Sequence, residues 1–167
     1  SLAVVGNVRI GHHGRGNSTL LGALFRPPST IREEKEMSEH TMALLEDVGL
    51  ADRKDELASN LSYGMQRKLE IARALASEPK ILLLDEPAAG MNPQETKELT
   101  QFISNLKDKG LTILLIEHDM KLVRNICKKV VGLDHGAKIA EGVPQEIQNN
   151  SAVIEAYLGK GAAKCSK

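Results

Sequence analysis

Apolar positions recur at helical spacing along residues 30–78. Thr30 followed by Glu33 has the form of a capping box, and apolar residues continue every three or four positions behind it. Ser62 is a candidate N-cap for a second helix that has one apolar face. We therefore predict a helical subdomain over residues 20–78.

After Pro79 the pattern changes to short apolar runs that alternate with helical segments. The runs predict a strand buried on both faces at residues 81–84, a second buried strand at 111–116 and a third strand at 129–133. His135-Gly136 predicts a turn into a last strand that ends at Gly142. Helices are predicted between them and after them, at residues 92–110, 119–126, 144–148 and 152–158. This alternation predicts an α/β fold with a parallel sheet flanked by helices and with functional groups at the carboxyl ends of the strands.

Charge and composition narrow the class of protein. The chain has 167 residues and balances 22 Lys and Arg against 22 Asp and Glu, so no overall field favours nucleic acid or an anionic membrane. Its longest apolar runs are far shorter than a membrane span. Its two cysteines, Cys127 and Cys165, are too few for a disulfide framework. We expect a cytoplasmic chain without a nucleic acid partner.

A strand that ends in two carboxylates is the strongest chemical feature. Asp85 and Glu86 follow the apolar run 81–84, and neighbouring carboxylates at the end of a buried strand repel each other unless a cation lies close by. In one interpretation, Asp85 orients a magnesium ion through water and Glu86 polarises an attacking water as a general base. In the other interpretation, the pair is only a polar turn.

Two further features point to an anionic ligand. Residues 61–66 place small residues at a helix start, where free backbone N–H groups and the helix dipole favour a phosphate. Gly64 would allow a close approach, and the Ser62 hydroxyl could donate a hydrogen bond. His118 follows the predicted strand 111–116 by two residues and could reach a terminal phosphate. Each feature also has a simpler explanation, an ordinary N-cap for Ser62 and an exposed or structural role for His118.

The order and spacing of these segments resemble the ATP-binding subunits of ABC transporters. The resemblance assigns the family's signature to residues 61–66, its Walker B segment to 81–87, its D-loop to 88–93 and its switch histidine to His118. Four segments are most similar to the importers of branched-chain amino acids, namely residues 88–95, 116–120, 138–142 and 153–159. The resemblance extends over residues 2–160.

The resemblance implies a function and a set of site residues. It implies a parent protein that couples ATP hydrolysis to the import of branched-chain amino acids, with ATP and Mg²⁺ between two ATP-binding subunits that attach to membrane permease subunits at the inner face of the cell membrane. Glu86 and His118 would be catalytic, and Asp85 would serve the metal. The residues that would contact ATP are Ser62, Tyr63, Gly64, Met65, Gln66 and Asn92. Many members have Gly in place of Tyr63 and Asp in place of Asn92.

The phosphate-binding loop of that family is not evident in the sequence. Residues 11–18 approach the pattern GxxxxGK followed by Ser or Thr, but Asn17 replaces the lysine that meets the β- and γ-phosphates. We therefore expect the C-terminal part of a P-loop NTPase-like ABC nucleotide-binding domain, without the P-loop and the glutamine loop. The predicted divisions are an N-terminal segment (1–19), the helical subdomain (20–78), an α/β core (79–160) and a disordered tail (161–167).

Three hypotheses about activity stay open. The chain is catalytic when it is paired with a subunit that has a P-loop, or it is a non-catalytic remnant that binds partners or self-associates, or it binds phosphate through residues 11–18. Alone, it is expected to hydrolyse ATP only at background rate. An uncovered sheet predicts a homo-oligomer. Gly64→Asp is expected to block an anion at the helix start and to leave the fold intact.

Overall fold

The computed structural model describes residues 2–12 and 28–158. The chain divides into two compact units, with Ser1–Leu83 and Pro87–Leu114 in unit 1 and Leu84–Glu86 and Leu115–Lys167 in unit 2. The described helices are α1 (Val4–His12), α2 (Pro28–Asp47), α3 (Tyr63–Leu75), α4 (Pro93–Asp108), α5 (Met120–Ile126), α6 (Pro144–Gln148) and α7 (Ser151–Leu158). The described strands are β1 (Ile81–Asp85), β2 (Thr112–Ile116), β3 (Val130–Asp134) and β4 (Ala137–Gly142). The domain divisions predicted after residues 19, 78 and 160 stay predictions.

Helix α1 is an element that the sequence did not predict. Its valines and Gly6 disfavour a helix locally, but Val4 and Val8 are completely buried, and α1 packs against α2 and α3. Gly11 makes the contact with α3 possible, because a Cβ at this position would overlap the carbonyl oxygen of Arg73. Tertiary packing therefore overrides a weak local propensity.

Several predicted helix ends are confirmed. Ser62 is the N-cap of α3, and Asn92 caps α4, which has proline in its first turn. Gly110 follows α4 with a φ of 94°, a conformation that glycine adopts without strain. Helix α2 begins at Pro28, two residues before the predicted start at Thr30. None of the helices in the described ranges combines the length and the apolar character that a membrane crossing requires.

Strands β1 and β2 pair with each other. The N–H of Glu86, just past β1, donates to the carbonyl oxygen of Ile116 at the end of β2 (2.9 Å), so the carboxyl ends of the two strands lie together. The predictions that β1 is buried on both faces and that β2 is buried are wrong. Burial alternates along β1, where Leu84 is buried and Leu83 is 68% exposed. Only one face of β1 is covered by the described residues.

Strands β3 and β4 form a separate antiparallel hairpin. Its turn, His135-Gly136, has positive φ at both residues (46° and 80°), as a tight two-residue turn requires. Helices α6 and α7 pack on β4. The predicted turn is therefore confirmed, but the parallel sheet predicted over residues 80–142 does not extend to β3 and β4 in the described residues, because these two strands pair with each other.

Candidate functional site

The carboxyl ends of β1 and β2 bring a carboxylate and a histidine together. Oε1 of Glu86 lies 3.3 Å from Nδ1 of His118, and both side chains are more than half exposed. The backbone of Glu86 has a φ of 42°, in the left-handed region, which costs a residue with a Cβ about 1–2 kcal/mol. The hydrogen bond from its N–H to Ile116 stabilises this conformation. Two residues predicted from separate segments thus lie within ion-pair distance.

Glu117 is a neighbouring carboxylate that the sequence analysis missed. Its side chain is only 2% exposed, and its Oε2 lies 3.9 Å from Nδ1 of His118. The same oxygen accepts the backbone N–H of His118 at 3.2 Å. The available clue was an acidic residue directly after an apolar run, the arrangement that singled out Asp85. Nδ1 of His118 therefore has a carboxylate from each of the two strand ends close to it.

Asp85 is the predicted metal ligand. It is the last residue of β1, and it is exposed. The described residues contain no group of three or more His, Cys, Asp or Glu side chains that could hold a metal ion. Mg²⁺ commonly takes one or two protein carboxylates, with water and substrate phosphates as its other ligands. Asp85 fits such a role as a single ligand, and the other ligands would have to come from water and a nucleotide.

The predicted signature residues surround the start of α3. Oγ of Ser62 accepts the N–H of Met65 at 3.4 Å, and the amide of Gln66 donates back to the carbonyl oxygen of Leu61 at 2.9 Å. The first turn of α3 contains no acidic residue. Because the Ser62 hydrogen bond is long and the helix dipole is not neutralised by its own first turn, this helix start can accept an anion.

Gly64 lies against the neighbouring helix α4. A Cβ at Gly64 would lie 2.8 Å from Oε1 of Glu95. A side chain at Gly64 would therefore have to displace the carboxylate of Glu95, and the expectation that Gly64→Asp leaves the fold intact stays a prediction. Gly64 therefore has a role within the chain, whatever ligand α3 binds, because it leaves room for the side chain of Glu95.

Asn92, predicted to contact ATP, caps α4. Its Oδ1 accepts the N–H groups of Gln94 and Glu95, both at 2.9 Å. Oε2 of Glu95 in turn accepts the N–H of Asn92 at 3.1 Å, which completes a capping box. The Asn92 side-chain oxygen is thus already engaged by two backbone donors.

Comparisons with known proteins show which family the chain resembles. The family described as "ABC transporter" matches residues 23–89, and the family described as "Branched-chain amino acid ATP-binding cassette transporter" matches residues 137–163. The chain is 44% identical, over 160 residues, to the high-affinity branched-chain amino acid transport ATP-binding proteins BraF of Pseudomonas aeruginosa and LivG of Escherichia coli. The chain is therefore similar to ABC transporter ATP-binding proteins over 95% of its own length. Its predicted resemblance to the branched-chain amino acid subgroup is confirmed.

Solved structures agree with this ABC assignment. An ATP-binding cassette of an ABC transporter in its ADP conformation superimposes with a TM-score of 0.78 at 33% identity, covering 95% of this chain and 63% of the cassette. A nucleotide-free cassette gives 0.77 at 34% identity and covers 95% and 64%. The predicted ABC fold class is confirmed. The alignments with BraF and LivG include 95% of this chain. They cover 63% of the length of each relative.

The candidate loop at residues 11–18 lies mostly outside the described residues of this ABC chain. Gly11 and His12 are described, and they form the end of helix α1, where Nε2 of His12 lies 3.2 Å from Oγ1 of Thr41. A P-loop follows a strand and opens a helix. A segment that begins inside a helix end does not have that context, so residues 11–18 carry no phosphate-site proposal.

Proposed function

We propose that the chain is the signature-bearing part of an ATP-binding subunit in an importer of branched-chain amino acids. The observation that carries this proposal is the pair of Glu86 and His118, 3.3 Å apart at the ends of paired strands. BraF and LivG, which are 44% identical to the chain, are named for the same transport. We propose that it works at the inner face of the membrane, on permease subunits and beside a second ATP-binding subunit that supplies the P-loop.

The residues then have distinct tasks. Glu86 accepts a proton from the attacking water, and His118 donates a hydrogen bond to the terminal phosphate. Glu117 orients the imidazole of His118 from its buried position. The start of α3, with Ser62, binds phosphate oxygens of the nucleotide held by the second subunit. Mg²⁺, held in part by Asp85, supplies charge neutralisation of the phosphates when it is bound.

Complementation of ATP hydrolysis tests this proposal. Phosphate release is measured for the chain alone and after mixing with a full-length relative whose own Walker B glutamate is replaced by Gln. We expect background rates from either component alone and a clear increase in the mixture. Glu86→Gln should remove the increase, whereas Glu46→Gln, which changes an exposed carboxylate on α2, should leave it unchanged. A mixture without any increase would contradict the proposal, and so would hydrolysis by the chain alone that Glu86→Gln abolishes.

A second candidate function is partner binding without catalysis. It is favoured by exposed aliphatic side chains on the two paired strands, with Ile81, Leu83 and Leu114 each between 55% and 68% exposed. Apolar sheet surface of this kind is typical of interfaces. Sedimentation velocity should show self-association that Leu83→Lys weakens. Leu57→Lys, at an exposed leucine outside the sheet, is the control. A compact monomer at high concentration would contradict this function.

A further inference from the structure

Tyr63 lies against the turn that precedes α4. A Cβ built on Gly90 would lie 3.4 Å from Cε1 of the Tyr63 ring. Gly90 has a φ of 76°, and in the same turn the N–H of Met91 donates to the carbonyl oxygen of Ala88 at 3.1 Å. The ring of Tyr63 therefore lies beside the one glycine of the turn 88–91, next to the position where any other residue would place its Cβ.

The opposite end of Tyr63 is fixed by its own helix. The Tyr63 hydroxyl oxygen accepts hydrogen bonds from Nη2 and Nε of Arg67, at 2.8 and 3.2 Å. The guanidinium carbon of Arg67 is 5.2 Å from the ring centroid, within cation–π range. Nη1 of Arg67 donates to Glu70 at 2.7 Å. The ring is therefore held on α3 by Arg67, which is itself held by Glu70, although Tyr63 is 46% exposed.

Two other contacts join the beginnings of α3 and α4. Gly64 lies against the carboxylate of Glu95, which also accepts the N–H of Asn92. One turn further along, Nζ of Lys68 donates to Oε2 of Glu98 at 2.9 Å. Contacts at successive turns mean that the two helix starts pack side by side. Tyr63 is the contact that extends this packing to the turn 88–91.

We propose that Tyr63 is a positioning residue that holds the turn 88–91 in place against the start of α3. Residues 62–66 and 88–92 then move as one body, so that a ligand bound at one segment constrains the other. This role differs from the direct ATP contact predicted for Tyr63 from the sequence. Its hydroxyl is engaged by Arg67, and its ring is in contact with Gly90.

Hydrogen exchange on the full chain tests the contact without any assumption about activity. Tyr63→Ala should speed exchange of the Met91 amide roughly tenfold, because local opening governs exchange in such turns. Tyr63→Phe removes the hydroxyl but keeps the ring on Gly90, so the change should be less than about twofold. Ile31→Ala, which truncates another exposed apolar side chain in unit 1, is the control and should change nothing at this turn. Unchanged exchange in Tyr63→Ala would overturn the proposal.

Folding and function need separate controls. If Tyr63→Ala lowers the thermal midpoint enough to confuse local with global opening, Tyr63→Leu retains apolar bulk without the flat ring and should still speed exchange of Met91.

A second experiment rests on the proposed function and uses the complemented ATPase. There, Tyr63→Ala should lower kcat about tenfold, equivalent to about 1.4 kcal/mol, with little change in KM, and Tyr63→Phe should restore most of the rate.

The two experiments fail in distinguishable ways. A raised KM with unchanged kcat would make Tyr63 an ATP contact and overturn its positioning role. If the mixture does not hydrolyse ATP at all, the proposed function fails, and the exchange experiment alone decides the role of Tyr63.

Discussion

Helices α3 and α4 both begin at a small polar residue, but the two helix starts differ in what already occupies them. At α4, Oδ1 of Asn92 accepts the N–H groups of Gln94 and Glu95 at 2.9 Å. Glu95 returns its own carboxylate to the N–H of Asn92. At α3, Ser62 accepts one N–H, that of Met65, at 3.4 Å. The start of α4 is closed by its own side chains, whereas the start of α3 is open to an outside acceptor.

The difference shows that an N-cap residue in a sequence is weak evidence for a ligand site. Both helix starts favour a nearby negative charge through the same dipole. Helix α4 provides that charge itself with Glu95 in its first turn, and α3 has no acidic residue there. Ser62 and Asn92 were predicted as ATP contacts on equal terms. The geometry favours Ser62, because the first turn of α3 has one long capping hydrogen bond and no acidic residue of its own, and the carboxylate beside it, that of Glu95, belongs to α4.

The largest effect is expected at Gly64, where the two helix starts meet. Gly64→Ala should destabilise the chain by about 1–3 kcal/mol, because the added Cβ lies 2.8 Å from Oε1 of Glu95 and would displace the carboxylate that completes the capping box of α4. The measurement is urea unfolding. Gly6→Ala is the matched control, since a Cβ on this helical glycine meets nothing closer than 3.8 Å and should stabilise the chain by about 0.4–1 kcal/mol.

A double-mutant cycle sharpens this result. If the collision with Glu95 is the cause, Gly64→Ala should cost less than about 0.5 kcal/mol when Glu95→Ala is already present. An equal cost in both backgrounds would show that α3 and α4 are not in contact at this point.

The next effect separates the two caps directly. Asn92→Ala should lower the free energy of unfolding by about 1–2 kcal/mol, since two backbone N–H groups lose their acceptor, and Ser62→Ala by about 0.5 kcal/mol. The order of the two effects should reverse when ATP hydrolysis is measured instead of stability. In the complemented ATPase, Ser62→Ala should raise KM for ATP, whereas Asn92→Ala should leave it nearly unchanged. A larger KM effect at Asn92 would contradict the distinction between an open and a closed helix start.

The sequence predicted the local features of this comparison and missed the contacts that decide it. Ser62, Asn92 and Glu95 follow known capping patterns, so both helix starts were located correctly. The contact of Gly64 with Glu95 joins residues 31 positions apart, and no local pattern encodes it. The expectation for Gly64→Asp was therefore made without this neighbouring carboxylate.

The same limit applies to the strands and to α1. Apolar runs located β1 and β2, but composition does not reveal whether one face or both are covered, and Leu83 is exposed. Helix α1 packs on α3 where Gly11 leaves room for the backbone of Arg73. Helix propensity depends on neighbouring residues only, so it does not reveal this contact. The pairing of Glu86 with His118 could be predicted, because both residues follow neighbouring parallel strands. The role of Glu117 could not be predicted, because only the structure shows that its side chain is buried beside His118.

A smaller effect concerns the charge of Glu95. Glu95→Gln keeps the length of the side chain and an oxygen that can cap α4, but it removes a negative charge beside Gly64. If an anion binds at the start of α3, ATP affinity of the complemented complex should increase about threefold, in the range of a surface charge interaction. Titration calorimetry measures this change. Glu34→Gln, at an exposed position on α2, serves as the control. Unchanged affinity in Glu95→Gln would place the bound anion away from the start of α3.

The smallest effect is expected from the ion pair between Lys68 on α3 and Glu98 on α4. Hydrogen bonds from Lys68 and then from Gln94 lower the pKa of Glu98 below its ordinary value of 4.5. A lowered folded-state pKa means that the pair stabilises the chain above the unfolded pKa and that this contribution is lost as the pH falls through the lower, folded value. The thermal midpoint of the native chain should therefore exceed that of Glu98→Gln slightly at pH 6, and the gap should close below pH 4.5 and in high salt, because Glu98 is exposed. A gap that persists at low pH would show that Glu98 stabilises α4 through the hydrogen bond that it accepts from Gln94 within the same helix rather than through its charge.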